Sequence, residues 1–171
     1  VGRPLLHPIA EVELVVCMGE DLLPRNKPYI REEVSEAVVS IRPALEIAEC
    51  RFVYDNNFPP LTAILADGSG SGAVILGAPI EDWAKREYGS IAPRLLVDGK
   101  CRRQGHVGNA IGGPLAPVTW LVNELSRLRV GLHAGELVST GTLTGMFLAQ
   151  EGQELMGDFS SFGEVRVTVG G

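Results

Sequence analysis

Two glutamates, Glu11 and Glu13, interrupt an apolar run near the start of the chain, in the segment PIAEVELVV. Side chains two positions apart in a strand point to the same face, so these two carboxylates share one. The remaining residues make the strand apolar on both faces, which predicts burial on both. Buried like charges repel each other, and burial raises their pKa values. We therefore expect a cation, a shared proton or an arginine beside them.

A third acid, Glu46, could complete a metal site, because the segment between it and Glu13 can return the chain. It lies in ALEIAECRF, whose alternation predicts a strand with Glu46 facing away from Leu45. Hard divalent cations prefer oxygen ligands and keep positions open for water and substrate. Glu46 could equally be a surface residue on an edge strand, and Glu49 is interpreted in that way because Arg51 follows it.

Other motifs offer less chemistry. The segment GSGSGAVILG continues as a strand and lacks the Gly-Lys-Ser/Thr ending of a phosphate-binding loop. This pattern indicates close backbone packing or a substrate-lining turn instead. The three histidines lie in separate loops without zinc-binding spacing, which argues against zinc. Ser139, Ser160 and Ser161 lack the context of a nucleophile elbow.

Composition limits the classes of partner. The 171 residues are 45% hydrophobic, and the net charge of −6 without a basic patch argues against nucleic-acid binding. No apolar run approaches the ~20 residues of a membrane span. Three cysteines without a CxxC pair predict buried, reduced thiols in a cytoplasmic protein. The length predicts a single domain over residues 1–171.

The elements that position the glutamates follow from periodicity. A strand is predicted over residues 9–18. An amphipathic helix is predicted from Arg31 until Pro43 stops it, from apolar residues at helical spacing: Val34, Ala37, Val38 and Ile41. A second helix is predicted from Ala116. Strands outnumber helices without alternating regularly with them, which predicts a β-rich α+β domain with mixed twisted sheets and two or three helices.

The segments PIAEVELVVCMGEDL, RPALEIAECRF and GELVSTGTLTG together resemble the hydratase/decarboxylase branch of the fumarylacetoacetate hydrolase superfamily. The pattern of that branch is a Glu-x-Glu strand, a loop and a helix, and then a Pro-Ala-Leu-Glu strand. The resemblance implies the β-rich fold of the superfamily. It also implies that Glu11, Glu13 and Glu46 bind one Mg²⁺ or Mn²⁺ ion.

Matches further along the chain imply which residues bind the substrate. ADGSGSG corresponds to the family's A-D-N-A-S-x-G, which assigns Asp67 to substrate binding. STGT corresponds to the family's [LM]-T-G-[SAG] turn, which assigns Thr140 and Gly141 to the substrate carboxylate. Glycines replace the family's Asn, Ser and His at three positions: Gly68, Gly70 and Gly113.

The implied activity is metal-dependent hydration of a 2-hydroxy-2,4-dienoate (2-keto-4-pentenoate type) to a 4-hydroxy-2-oxo acid, in the catabolism of aromatic compounds. Decarboxylation of a 4-oxalocrotonate-type acid and C–C hydrolysis are alternatives, because one metal template serves all three reactions. A carboxylate pair that shares a proton without metal is another alternative.

Family members are longer, and the resemblance places the family's lysine upstream of Val1, so catalytic residues stay unassigned. The chain is thus expected to lack the N-terminal segment of the family. A non-catalytic paralogue or assembly partner is therefore a further alternative. The implied partners are a 2-oxo acid substrate and copies of the same chain in a homo-oligomer, or a related decarboxylase subunit.

Overall fold

The computed structural model describes residues 5–52, 59–109 and 112–170. The strands in chain order are β1 (Pro8–Met18), β2 (Val38–Glu49), β3 (Ala73–Leu76), β4 (Arg94–Val97), β5 (Lys100–Gln104), β6 (Leu137–Ser139), β7 (Phe147–Leu148), β8 (Glu154–Asp158) and β9 (Glu164–Thr168). The α-helices are α1 (Arg31–Glu36), α2 (Leu61–Ala66) and α3 (Leu115–Arg127).

The strands form two sheets whose apolar faces enclose the core. The order in the first sheet is β3-β2-β1-β6, with β7 also paired to β1, and the order in the second is β5-β4-β8-β9. Gly157 of β8 packs against Val12 of β1 and Leu45 of β2, so the two sheets are in direct contact. The long β1–β2 pair therefore has one face on the core and the other free to carry the polar residues.

The predicted α+β class is confirmed, and the expectation of mixed sheets is wrong. Every strand pair among the described residues is antiparallel. The predicted strand over 9–18 and the helix near Ala116 are confirmed. None of the described helices is long and apolar enough to cross a bilayer. The cysteines are free as expected, but only Cys17 is buried, while Cys50 is partly exposed and Cys101 is exposed.

The helix predicted to reach Pro43 is shorter than its periodicity indicates. α1 ends at Glu36, and β2 begins at Val38 and continues through Pro43. The carbonyl of Pro43 accepts from the N–H of Gly77 at 2.8 Å, on the β3 side of the strand. A residue's N and C=O point to the same side of a strand, so the missing N–H of Pro43 costs no β1–β2 hydrogen bond.

Candidate metal centre

Strand β1 brings Glu11 and Glu13 to one face of the first sheet. Alternation along the strand turns Val12 and Leu14 into the core and both glutamates away from it. β2 runs antiparallel to β1, in a register that places Glu46 directly opposite Glu11. The Cβ atoms of directly opposed residues are about 4.5–5.5 Å apart. The strand pairing therefore gathers the three predicted glutamates on one patch of the sheet.

The spacing of these carboxylates fits a divalent cation. One carboxylate oxygen from each of Glu11, Glu13 and Glu46 lies within 4.8 Å of the other two. Two oxygens on one ion can be at most twice the metal–oxygen distance apart, which is about 4.2 Å for Mg²⁺ and about 5 Å for Ca²⁺. At most a small shift of side chains would let the three oxygens coordinate one ion together.

The three carboxylates are costly to ionise together. Burial, followed by the charges of Glu13 and Glu46, raises the pKa of Glu11 to about 7. The pKa values of Glu13 and Glu46 are also raised, first by burial, although hydrogen bonds oppose part of the rise. Without a cation, the cluster therefore holds a proton near neutral pH, and a bound cation would remove the need for it.

Within residues 5–52, 59–109 and 112–170, no lysine or arginine forms an ion pair with the three carboxylates. Arg42 lies on the same face of β2 as Glu46, but its Nη1 donates to the carbonyl of Gly77 at 3.1 Å. Of the three compensating groups that the sequence allowed, the described structure therefore leaves a cation or a shared proton.

Glu13 is only 2% exposed and accepts two hydrogen bonds from the segment around the end of β6. The hydroxyl of Ser139 and the backbone N–H of Gly141, the latter at 3.2 Å, both donate to Glu13 Oε2. Sequence reasoning considered Ser139 only as a nucleophile and missed this contact. The available signal was its position directly before Thr140 in the turn that the family pattern singles out.

Thr140 is buried beside β1. Its hydroxyl donates to the carbonyl of Leu14 at 2.9 Å, and its backbone N–H donates to the same oxygen at 3.1 Å. These bonds continue the β1–β6 pairing and fix the turn next to Glu13. Thr140 and Gly141 thus lie beside the glutamates, as the sequence predicts, with their hydrogen-bond donors engaged inside the protein.

Asp67 is engaged in a different contact. It follows α2, and both of its carboxylate oxygens accept from Arg51 Nε, at 2.9 and 3.1 Å. Arg51 Nη1 donates to Glu49 at 2.9 Å, and the Glu49 side chain is fully buried. The expectation that Glu49 is exposed is therefore wrong, because Arg51 compensates for its charge inside the protein.

Arg51→Ala is expected to lower the free energy of unfolding by about 2 kcal/mol. Removing one partner of a fully buried ion pair costs about 3–5 kcal/mol, and the loss is smaller here because water reaches Arg51, which is 27% exposed. Urea unfolding measures the change. The control is Arg127→Ala, which removes an exposed pair with Glu124 and should cost less than about 1 kcal/mol. Equal losses in the two variants would contradict this role of Arg51.

The glycines that depart from the family pattern suit the local backbone. Gly68 and Gly70 have φ of +74°, and Gly113 has φ of +81°, a region that other residues rarely adopt. A Cβ added at Gly72 would lie 2.4 Å from the carbonyl oxygen of Ile47 in β2. The close backbone packing predicted for the glycine-rich segment is therefore confirmed.

Comparison with known protein families finds one match over nearly the whole chain. The model of the family described as "Fumarylacetoacetate (FAA) hydrolase C-terminal" matches residues 4–170. The matched region includes both strands that carry the three glutamates.

Curated relatives with similar sequences are hydratases. The 2-keto-4-pentenoate hydratase of Paraburkholderia xenovorans (strain LB400) is 31% identical over 163 residues, which are 95% of this chain and 59% of the relative. The 2-hydroxyhexa-2,4-dienoate hydratase of Comamonas testosteroni is 27% identical over 150 residues, 86% of this chain and 54% of the relative. The chain thus spans less than two thirds of the length of these relatives.

Solved structures show the same fold. The 4-oxalocrotonate decarboxylase of Pseudomonas putida G7, complexed with magnesium and adipate, superimposes with a TM-score of 0.81 at 22% identity, over 95% of this chain and 60% of that one. The fumarylpyruvate hydrolase of Pseudomonas aeruginosa, in complex with Mn²⁺ and pyruvate, gives 0.69 at 21% identity, over 99% of this chain and 72% of that one.

Proposed function

Because this chain belongs to the fumarylacetoacetate hydrolase C-terminal family, we propose that it acts as a divalent-metal-dependent hydratase. It would add water to a 2-hydroxy-2,4-dienoate of the 2-keto-4-pentenoate type and give a 4-hydroxy-2-oxo acid. Glu11, Glu13 and Glu46 would hold one Mg²⁺ or Mn²⁺ ion. The convergence of their oxygens within 4.8 Å, on a face where the described residues offer no ion pair, is the observation that carries the proposal.

The names of the curated relatives support hydration as the reaction. The relatives described above are named as hydratases of 2-keto-4-pentenoate and of 2-hydroxyhexa-2,4-dienoate, and the first is 31% identical to this chain. The structural neighbours that are complexed with magnesium and adipate, or with Mn²⁺ and pyruvate, support a divalent cation and an organic acid as ligands of this chain. A 2-oxo acid is also a suitable ligand for a divalent cation, because it offers two oxygens to a hard ion.

When bound, the ion would supply Lewis-acid stabilisation of the negative charge that develops on the 2-oxygen of the substrate. The residues of this chain would bind the ion and orient the substrate. Glu13 is fixed by Ser139 and Gly141, while the buried apolar side chains of Val15 and Ala44 form the neighbouring surface and keep water away from that side. Glu11 and Glu46 are half-buried, so substrate would approach the ion from their side.

The substrate carboxylate would lie against the turn at Thr140 and Gly141. Since the Thr140 hydroxyl donates to Leu14 and the Gly141 N–H donates to Glu13, substrate contact at these groups would exchange or share those hydrogen bonds. Asp67 would contribute to substrate binding, and its ion pair with Arg51 would hold it in place. We also propose a homo-oligomer, which the exposed apolar side chains of Trp120 and Leu128 support.

Product analysis by NMR tests the reaction. The chain is incubated with Mg²⁺ and 2-hydroxypenta-2,4-dienoate, and separately with 4-oxalocrotonate, and Mg²⁺ binding is measured beside turnover. The proposal expects 4-hydroxy-2-oxopentanoate from the first acid and no reaction of the second. Loss of CO₂ from 4-oxalocrotonate alone would make the chain a decarboxylase. Mg²⁺ binding without conversion of either acid would favour a non-catalytic paralogue, and turnover that survives complete chelation would favour a metal-free carboxylate pair.

A further inference from the structure

We propose that Ser139 is a positioning residue for the metal centre, holding Glu13, and through it the glutamate cluster, in the arrangement that receives the cation. This inference rests on the metal centre proposed above. It concerns a residue that the family turn does not supply, because the [LM]-T-G-[SAG] pattern has Leu or Met where this chain has Ser139. Leu and Met offer no hydroxyl donor.

The strand pairing fixes where the Ser139 side chain points. Ser139 is paired with Val15 across β1 and β6, and opposed residues in an antiparallel pair project to the same face. Val15 is two positions from Glu13, so Ser139 lies on the glutamate face, diagonally across from Glu13. Its hydroxyl reaches the carboxylate from the β6 side, opposite to the β2 strand that carries Glu46.

The hydrogen bonds leave one oxygen of Glu13 for a cation. Ser139 Oγ and the Gly141 N–H both donate to Oε2, so neither of these donors occupies Oε1. Ser139 thus restrains Glu13, the most deeply buried of the three carboxylates.

This restraint of Glu13 is expected to raise the affinity of the centre for the metal ion. A ligand that is already oriented loses less conformational freedom when the ion binds, so affinity is higher than for a free carboxylate. Removing a hydrogen-bonding partner of a metal ligand typically costs about 10–100-fold in metal affinity or activity. Gly141 still donates to Glu13 in the absence of Ser139, so we expect a loss near the lower end of that range.

Calorimetric titration of Mn²⁺ into metal-free protein tests the inference. Ser139→Ala should weaken the affinity about tenfold. Ser139→Thr keeps the hydroxyl and suits a strand, so it should restore the affinity to within about twofold of wild type. Ser161→Ala removes an exposed hydroxyl of the same type away from the site and should leave the affinity unchanged. Circular dichroism of each metal-free variant confirms that it is folded.

Three results would overturn the inference in distinguishable ways. Wild-type affinity in Ser139→Ala would show that the hydroxyl does not position Glu13, while leaving the metal centre intact. Equal weakening in the Ala and Thr variants of Ser139 would assign the loss to packing rather than to the hydrogen bond. Failure of the wild-type protein itself to bind Mn²⁺ would overturn both the metal centre and this role of Ser139.

Discussion

Glu46→Gln is expected to weaken Mn²⁺ binding by a factor on the order of 100 or more. The effect is large because the substitution removes a negatively charged ligand, rather than a residue that only positions a ligand. Glutamine has nearly the same shape, and it also relieves the repulsion that Glu46 exerts on Glu11 and Glu13, so the fold is retained. Calorimetric titration of the metal-free variant with Mn²⁺ measures the loss. Glu13→Gln should behave in the same way.

The matched control is Glu151→Gln, which removes one exposed carboxylate far along the chain and changes the net charge by the same amount. Its Mn²⁺ affinity should equal that of the wild type. If Glu46→Gln and Glu151→Gln bound Mn²⁺ equally well, Glu46 would not be a ligand, and the assignment of the third position would be wrong.

The metal-free protein is expected to become more stable as the pH falls from 8 to 5, by up to about 2.5 kcal/mol from Glu11 alone. The pKa of Glu11 is about 7 in the folded state, against 4.5 for the ordinary group that the unfolded chain presents. Between these values the folded state binds more protons than the unfolded state, so the free energy of unfolding rises as the pH falls. Each pKa unit between the folded and unfolded values corresponds to at most about 1.4 kcal/mol in the free energy of unfolding.

Glu13 and Glu46, whose pKa values are also raised, act in the same direction. The pKa values of Glu33 and Asp158 are lowered by their arginine partners and by backbone donors, so these groups reduce stability only at more acidic pH. Urea unfolding at pH 5 and at pH 8, in metal-depleted buffer, isolates the effect of the cluster.

Glu11→Gln supplies the control for this pH dependence. The variant should be more stable than the wild type at pH 8, and the difference should shrink towards zero at pH 5, where the wild-type Glu11 is protonated. A wild-type protein that loses stability on going from pH 8 to pH 5 would contradict the raised pKa. With saturating Mg²⁺ the trend should reverse, because protons compete with the ion for the carboxylates.

The residue pattern was sufficient to predict the strand that carries Glu11 and Glu13. Family membership, first indicated by the resemblance of three segments to the family, is confirmed. Strand alternation placed the first two acids on one face with no knowledge of the partner strand. The position of Glu46 opposite Glu11 depends on the register of the β1–β2 pair, which a single strand's pattern does not determine. The metal-ligand roles therefore stay a proposal that the geometry supports.

Sequence reasoning missed three features of the structure, each for a physical reason. The residues around Val38 fit both a helical and a strand period. They form a strand because β2 pairs with β1 over most of the length of β2. Glu49 is buried because Arg51 folds back onto it and onto Asp67, a contact between segments that are distant along the chain. The contact of Ser139 with Glu13 spans 126 positions, so no local pattern reveals it.

The most direct test of the metal centre is an anomalous difference map from crystals of the protein grown with Mn²⁺. We expect one strong peak per chain, bounded by the carboxylates of Glu11, Glu13 and Glu46, with an oxygen of each within about 2.4 Å of it. A map without a peak between these three side chains, at Mn²⁺ concentrations that saturate binding in solution, would contradict the account.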